Sequence, residues 1–197
     1  MGRIVLVVLV GILVLAGFAG CNGYNRLVSL EEGVEAGWAQ VENVYQRRAD
    51  LIPNLVATVK GAADFEQETL TAVVEARAKA TQVSTEVSAE VLNDPQAMQK
   101  FQQAQQQLGG ALARLLLVIE RYPDIKANQN FLSLQSQLEG TENRIAVERR
   151  KFNELARDYN AHIRRFPTTI IASLTGFEKK PYFESDAGAE NAPQVEF

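Results

Sequence analysis

The sequence predicts an all-α fold: an up-and-down bundle of long helices, preceded by an N-terminal hydrophobic signal or anchor segment. Four helices are expected, or three if Gly61 only bends the first. Three observations carry this reading. Two long stretches place apolar or aromatic residues at alternating spacings of three and four, the mark of a helix with one buried seam. The breaks between stretches are short and rich in Pro, Gly and Asn, and no strand-like alternation occurs. Ahead of them, residues 4–15 form an uncharged apolar run between Arg3 and Cys21.

That run opens the chain. A basic start, an apolar core and the small-residue site Ala19-Gly20-Cys21 are the parts of a secretory signal peptide. The site resembles a bacterial lipobox, in which the cysteine is lipidated and becomes the mature N-terminus; Phe18 stands where Leu, Val or Ile is usual. The other reading is an uncleaved anchor, since residues 4–20 would span about 25 Å as a helix at 1.5 Å per residue, short of the usual span of about 20 residues. Either way residues 22–197 lie beside a membrane. Three segments follow: 1–20 as signal peptide or anchor, 21–178 as bundle, and 179–197 as a disordered acidic tail.

Residues 22–25 read as a linker. The first helix is expected over 29–62, with Ser29 as N-cap and Glu31 and Glu32 in its first turn. Its seam runs through Trp38, Val41, Tyr45, Arg48, Ile52, Leu55, Val59 and Ala62, and Pro53 predicts a kink near 49–53. Asp64 with Gln67 reads as a capping box for a second helix over 65–83, frayed as far as 91. Asp94-Pro95 is a helix start with the proline in the first turn, and the third helix runs to 121 through the glutamine-rich stretch 102–107. Tyr122-Pro123-Asp124 breaks the chain. The last helix, over 127–166, has the seam Phe131, Leu134, Leu138, Thr141, Ile145, Glu148, Phe152, Leu155, Tyr159, His162 and Phe166. Pro167 ends it, and residues 168–177 are apolar enough to pack as a short terminal piece.

Composition removes several function classes. A formal net charge of −4, or −5 once Arg3 leaves with residues 1–20, disfavours a nucleic-acid partner. One cysteine excludes an intrachain disulfide, and one histidine cannot build a zinc site with cysteine ligands. There is no HExxH, no glycine-rich phosphate loop and no Ser/His/Asp order. No metal, cofactor or catalytic residue is expected. His162, the sole group that titrates near neutral pH without a shift, sits on a seam and reads as packed or half-exposed.

Several residue blocks carry a likeness. Tyr24-Asn25, Trp38 with Val41, the stretch from Gln46-Arg47-Arg48-Ala49-Asp50 through Leu51-Ile52-Pro53-Asn54-Leu55-Val56, Thr58-Val59-Lys60-Gly61 and Glu75-Ala76-Arg77 come first. Tyr122-Pro123, Asn130-Phe131, Leu134-Gln135, Thr141-Glu142, Arg144-Ile145, Tyr159-Asn160 and Phe166-Pro167 continue it. Together, over about residues 24–183, they resemble the LemA family. The resemblance implies a membrane-associated helical bundle of bacteria with one N-terminal hydrophobic segment, and neither enzyme activity nor a cofactor.

Two sets of polar residues are singled out. Arg47, Asp50 and Asn54 fall near one another by helical spacing, either as a recognition patch or as groups that pair backbone freed by Pro53. Arg48 and Glu148 interrupt the two apolar seams near mid-height and are expected to form a partly buried ion pair, with Arg144 or Glu142 one turn away as alternatives. The expected function is a membrane-tethered scaffold or interaction protein of the bacterial cell envelope, with the bundle on the non-cytoplasmic side and an unidentified protein partner. Asn22 after the cysteine points to the outer membrane where a cell has one. A cofactor-free hydrolase at the kinked helix and a membrane-shaping protein are the alternatives.

Overall fold

The computed structural model describes residues 2–61 and 66–184; within the first helix, the side chains of residues 5, 8 and 12–19 fall outside the description. The described residues are all-helical: α1 (Gly2–Lys60), α2 (Gln67–Val87), α3 (Pro95–Ile119), the single turn α4 (Pro123–Lys126), α5 (Gln129–Ile163) and α6 (Thr168–Thr175). The most extensive helix packing is that of α1 against α5 and of α2 against α3.

Two core clusters show how the helices run. One holds Leu27 with Tyr159 and Ile163, and Val87 with Ala97 and Met98. The other holds Val59 with Phe131, and Leu70 with Leu115 and Ile119. In both cases the start of one helix meets the end of its neighbour, so α1 is antiparallel to α5 and α2 to α3. The core is aliphatic at the second end and aromatic at the first. There the Trp38 ring lies edge-on to Phe101 and Phe152 at centroid distances of 5.1 and 5.6 Å, a geometry that adds about 0.5–1.5 kcal/mol per pair beyond area burial.

The helix starts follow local chemistry. The Asp94 side chain accepts from Gln96 N at 2.8 Å, with Pro95 in the first turn, as the sequence predicts. Asn128 caps α5 in the same way, accepting from Asn130 N and Phe131 N. Asp64 of the expected capping box lies outside the described residues, and Glu66 precedes α2 as an N-cap residue without a side-chain cap. A cis peptide bond joins Phe166 to Pro167 at the corner into α6, and Gly176 at φ 81° closes α6 in the left-handed conformation that favours glycine.

Two expectations are corrected. First, α1 does not begin at Ser29: it runs unbroken through residues 22–25 and through Pro53. Asn22, Gly23 and Asn25 are weak helix formers, but tertiary packing overrides propensity. Ile171 abuts Gly23, and the Tyr24 ring meets Phe177 at 5.7 Å. Second, residues 179–184, assigned to the disordered tail, are packed, with Lys180 and Phe183 buried; residues 185–197 lie outside the description. The expected N-terminal anchor falls largely outside the described side chains, those of residues 5, 8 and 12–19 among them. Among the described residues no helix is long and apolar enough to cross a membrane.

Candidate functional site

The seam of α1 carries Arg48 and the seam of α3 carries Gln105, and these two polar residues meet in the core. Met98, Phe101, Gln105, Leu108, Leu112, Leu115 and Ile119 alternate spacings of three and four, so Gln105 stands where an apolar residue is due. Arg48 is 4% exposed. It donates to Glu142 Oε1 and Oε2 at 3.0 and 3.3 Å, and to the main-chain oxygen and Oε1 of Gln105 at 3.1 and 2.5 Å. Its guanidinium carbon lies 5.0 Å from the centroid of the Tyr45 ring, within cation–π range. The Gln105 amide passes the chain of bonds to Ser84 Oγ at 3.2 Å, and Ser84 donates to Ala80 O. One buried guanidinium thus ties α1, α3 and α5 together, with α2 joined through an amide.

Glu148 is not the partner of Arg48; it is bonded by Lys151 at 2.9 Å. The helix register explains this. Trp38 faces Phe152 across α1 and α5, and Arg48 faces Glu142. Glu148 is six residues away from that level, about 9 Å along the axis at 1.5 Å per residue. Glu142, one of the two alternatives, takes its place.

The remaining members of the polar set point outward. Arg47, Asp50 and Asn54 are exposed. Asp50 accepts from Gln46 Nε2 at 2.8 Å, and the Asn54 carbonyl accepts from Thr58 Oγ1 at 2.8 Å. The backbone group that Pro53 frees is the Ala49 carbonyl, because proline has no N–H to return four residues back. That carbonyl is taken by Arg77 of α2, whose Nε donates to it at 2.8 Å. The repair comes from a neighbouring helix. Arg77→Ala is therefore expected to cost about 1–3 kcal/mol by leaving the carbonyl unpaired. The cost should shrink in a Pro53→Ala background, where the helix supplies its own donor. Urea unfolding of the two single variants and the double variant measures this coupling.

A second constellation has no counterpart in the sequence reading. Residues 177–184 form an extended strap along α5, held by two asparagines seven positions apart. Asn160 Nδ2 donates to Lys180 O at 2.8 Å and its Oδ1 accepts from Lys180 N at 2.9 Å. Asn153 makes the same pair of bonds with Phe183, both at 2.9 Å. Gln102 of α3 donates to Tyr182 O and accepts from Glu184 N on the other side. Lys180 is buried between the helices: its Nζ pairs with Glu31 at 2.7 Å and donates to Asn93 at 2.8 Å, 5.6 Å from the centroid of the Tyr159 ring. Burial, and then the carboxylates of Glu31 and Glu178, push the Tyr159 phenol well above its ordinary range.

His162 is half-buried near the end of α5, at the end of the molecule where α6 lies. Burial, and then Arg26 and Arg165, lower its pKa below the ordinary 6.5. An unfolded chain takes up this proton near pH 6.5 while the folded one resists, so in that window the unfolded state binds more protons. The contribution to stability is complete above about pH 6.5 and is lost as pH falls through that value towards the folded pKa. His162→Gln is expected to flatten this part of a Tm-against-pH curve, measured by thermal unfolding.

Two hollows flank the Arg48 network. One of about 350 Å³ lies between α1 and α2 beside Tyr45, Ser84 and Gln105; the other, of about 230 Å³, lies beside Arg48, Gln106 and Glu142. Their walls offer amides, hydroxyls, the guanidinium groups of Arg48 and Arg149 and the carboxylates of Glu42 and Glu142, with no imidazole, and Ser88 donates to Glu42 at 3.3 Å. Among the described residues no group of three or more His, Cys, Asp or Glu could hold a metal ion. Cys21 is an exposed thiol. Gln105 and Asn153 were not singled out in the sequence, and Arg77 and Asn160 entered it only through the family likeness, without these roles. Gln105 alone left a periodic signal, as a polar residue on an apolar seam.

Comparison with known proteins places this architecture. Over 180 residues the chain is 28% identical to the magnetosome protein MamQ of Magnetospirillum gryphiswaldense, covering 84% of this chain and 66% of that protein. It is 27% identical over 175 residues to the magnetosome protein MamQ 2 of Paramagnetospirillum magneticum, covering 82% and 64%. It is 22% identical over 148 residues to the protein LemA of Metamycoplasma hominis, covering 75% and 63%. The chain thus spans just under two thirds of the length of these relatives. The LemA family profile matches residues 37–197, which takes in the Arg48 network, the Asn153/Asn160 strap and α6. The chain belongs to the LemA family.

Proposed function

We propose that this protein is a membrane-tethered helical scaffold or interaction protein of the bacterial cell envelope: an up-and-down bundle that does no catalysis and binds a protein partner. Its tether is the N-terminal segment, through lipid on Cys21 or through an uncleaved apolar helix. The observation that carries the reading is the continuity of α1. A single helix holds Ile4, Leu6, Val7, Leu9 and Val10, all more than half exposed, and then supplies the buried seam from Leu27 to Val59. Exposed contiguous apolar surface of this kind marks a membrane or interaction site. The three named relatives all come from bacteria and support that setting.

Metabolic labelling with a palmitate analogue tests the lipid form of the tether. Label on the wild-type chain and none on Cys21→Ala is the expected result. Label retained in the variant, or a mature chain that still carries residues 4–15, would rule lipidation out. The interaction role is tested by crosslinking in cells and identification of what co-purifies.

A further inference from the structure

We propose that α6 and the Phe166 corner form a collar that lies on an anionic bilayer surface, around the point where α1 leaves the bundle. The inference rests on the tethered reading above and adds the surface by which the bundle sits on the membrane. Thr168 and Ala172 of α6 are buried, while Ile170 is 51% and Leu174 81% exposed. Phe166, four residues before Ile170, is 82% exposed. Three large apolar side chains at intervals of four are thus presented to the surroundings within nine residues. Single exposed apolar residues are ordinary on a protein surface; a contiguous set is not.

The position of this patch names its occupant. Ile171, next to the exposed Ile170, packs so closely on α1 that a Cβ on Gly23 would come within 2.7 Å of its Cδ1. Cys21 lies only two residues before Gly23 on the same helix, and the exposed run from Ile4 to Val10 lies further out. An acyl chain on Cys21 and an apolar helix would therefore both bring the bilayer to the side of α6. The charge fits as well. Arg164 and Arg165 precede Phe166, Arg26 lies one turn inward on α1, and all three are exposed. Arg26 and Arg165 both lower the pKa of the His162 imidazole. Apolar side chains flanked by arginines are the arrangement by which an interfacial helix sinks to the headgroup level and meets anionic lipid.

The test uses the full chain bound to vesicles of three parts phosphatidylcholine to one part phosphatidylglycerol, with acyl chains brominated near the headgroup. Leu174→Trp is compared with Leu117→Trp and with wild type, whose Trp38 is buried. Leu117 is equally open to solvent at 72%, but lies on α3 beside Ile119, in the core cluster at the far end. Both sites are exposed, so both variants should keep the far-ultraviolet spectrum of wild type. The expected result is blue-shifted, bromine-quenched emission from Leu174→Trp and none beyond wild type from Leu117→Trp. Chain that floats with the vesicles but leaves Leu174→Trp unquenched overturns the collar and leaves the tether standing. Chain that does not float overturns both. Adding Arg164→Glu and Arg165→Glu should reduce the quenching with phosphatidylglycerol present and not in pure phosphatidylcholine. Quenching unchanged in both overturns the anionic half of the proposal.

Discussion

Phe183→Ala is expected to destabilise the protein by about 3–5 kcal/mol, the range for removing a buried phenylalanine whose surroundings cannot close over the gap. Phe183 belongs to no helix, yet it is buried, stacked on Trp38 at 5.9 Å and edge-on to Phe152 at 5.5 Å and Phe101 at 6.4 Å. Arg149 covers its ring at 5.0 Å. Walls contributed by α1, α3 and α5 are fixed by their own seams, so collapse into the vacated volume is limited. Tyr182→Ala, one residue earlier and 39% exposed, should change stability by about 0.5 kcal/mol or less, as surface substitutions do. Equilibrium urea unfolding followed by Trp38 emission measures both. A small loss for Phe183→Ala would show that the strap opens separately from the helices.

Glu142→Ala is expected to cost about 3 kcal/mol, at the lower edge of the range for stranding a buried charge, whereas Glu148→Ala, which removes a carboxylate 16% exposed and paired with the exposed Lys151, should cost about 1 kcal/mol. The asymmetry within the Arg48 pair sets the size. Arg48 is 4% exposed while the Glu142 side chain is 44% exposed. Deleting the carboxylate leaves a largely buried cation with no counter-charge, held by the neutral Gln105 and the Tyr45 ring. Deleting the cation leaves a carboxylate already half in solvent, so Arg48→Met should be milder, losing chiefly the bonds to Gln105. The same unfolding assay ranks the three variants. Equal losses at Glu142 and Glu148 would show that the buried arginine does not depend on its carboxylate.

The helices and their faces were legible in the sequence because burial imposes a period, and a period survives without knowledge of partners. Trp38, Val41, Tyr45, Ile52, Leu55 and Val59 are all buried as the seam requires. Arg48 was found as a flaw in that pattern. Its partner was misplaced by about two turns because the relative height of two antiparallel helices depends on the chain between them, which no single-helix pattern contains. Arg77 is legible only in retrospect, from Pro53 freeing a carbonyl that some donor must satisfy. The strap was invisible for a different reason. Asn153 and Asn160 bind main-chain atoms of Lys180 and Phe183, and a main chain has no sequence. Residues 22–25 look like a linker by propensity, and they are helical because α6 and Phe177 press on them.

The unbroken course of α1 makes it a ruler. From Gly20 to Val59 the helix rises about 60 Å at 1.5 Å per residue. Gly61 and the start of α2, at the far end of that rise, therefore stand at a fixed height above whatever holds Cys21, and a swivel at residues 22–25 is absent. On the tethered reading proposed above, a flexible linker would let the domain sample a hemisphere, whereas this helix allows a narrow shell. Under the interaction role proposed above, a partner would be selected by how far its own binding face projects from the same surface, so an insertion of one or two turns between Gly20 and Leu27 is expected to abolish crosslinking to that partner while leaving the bundle surface unchanged.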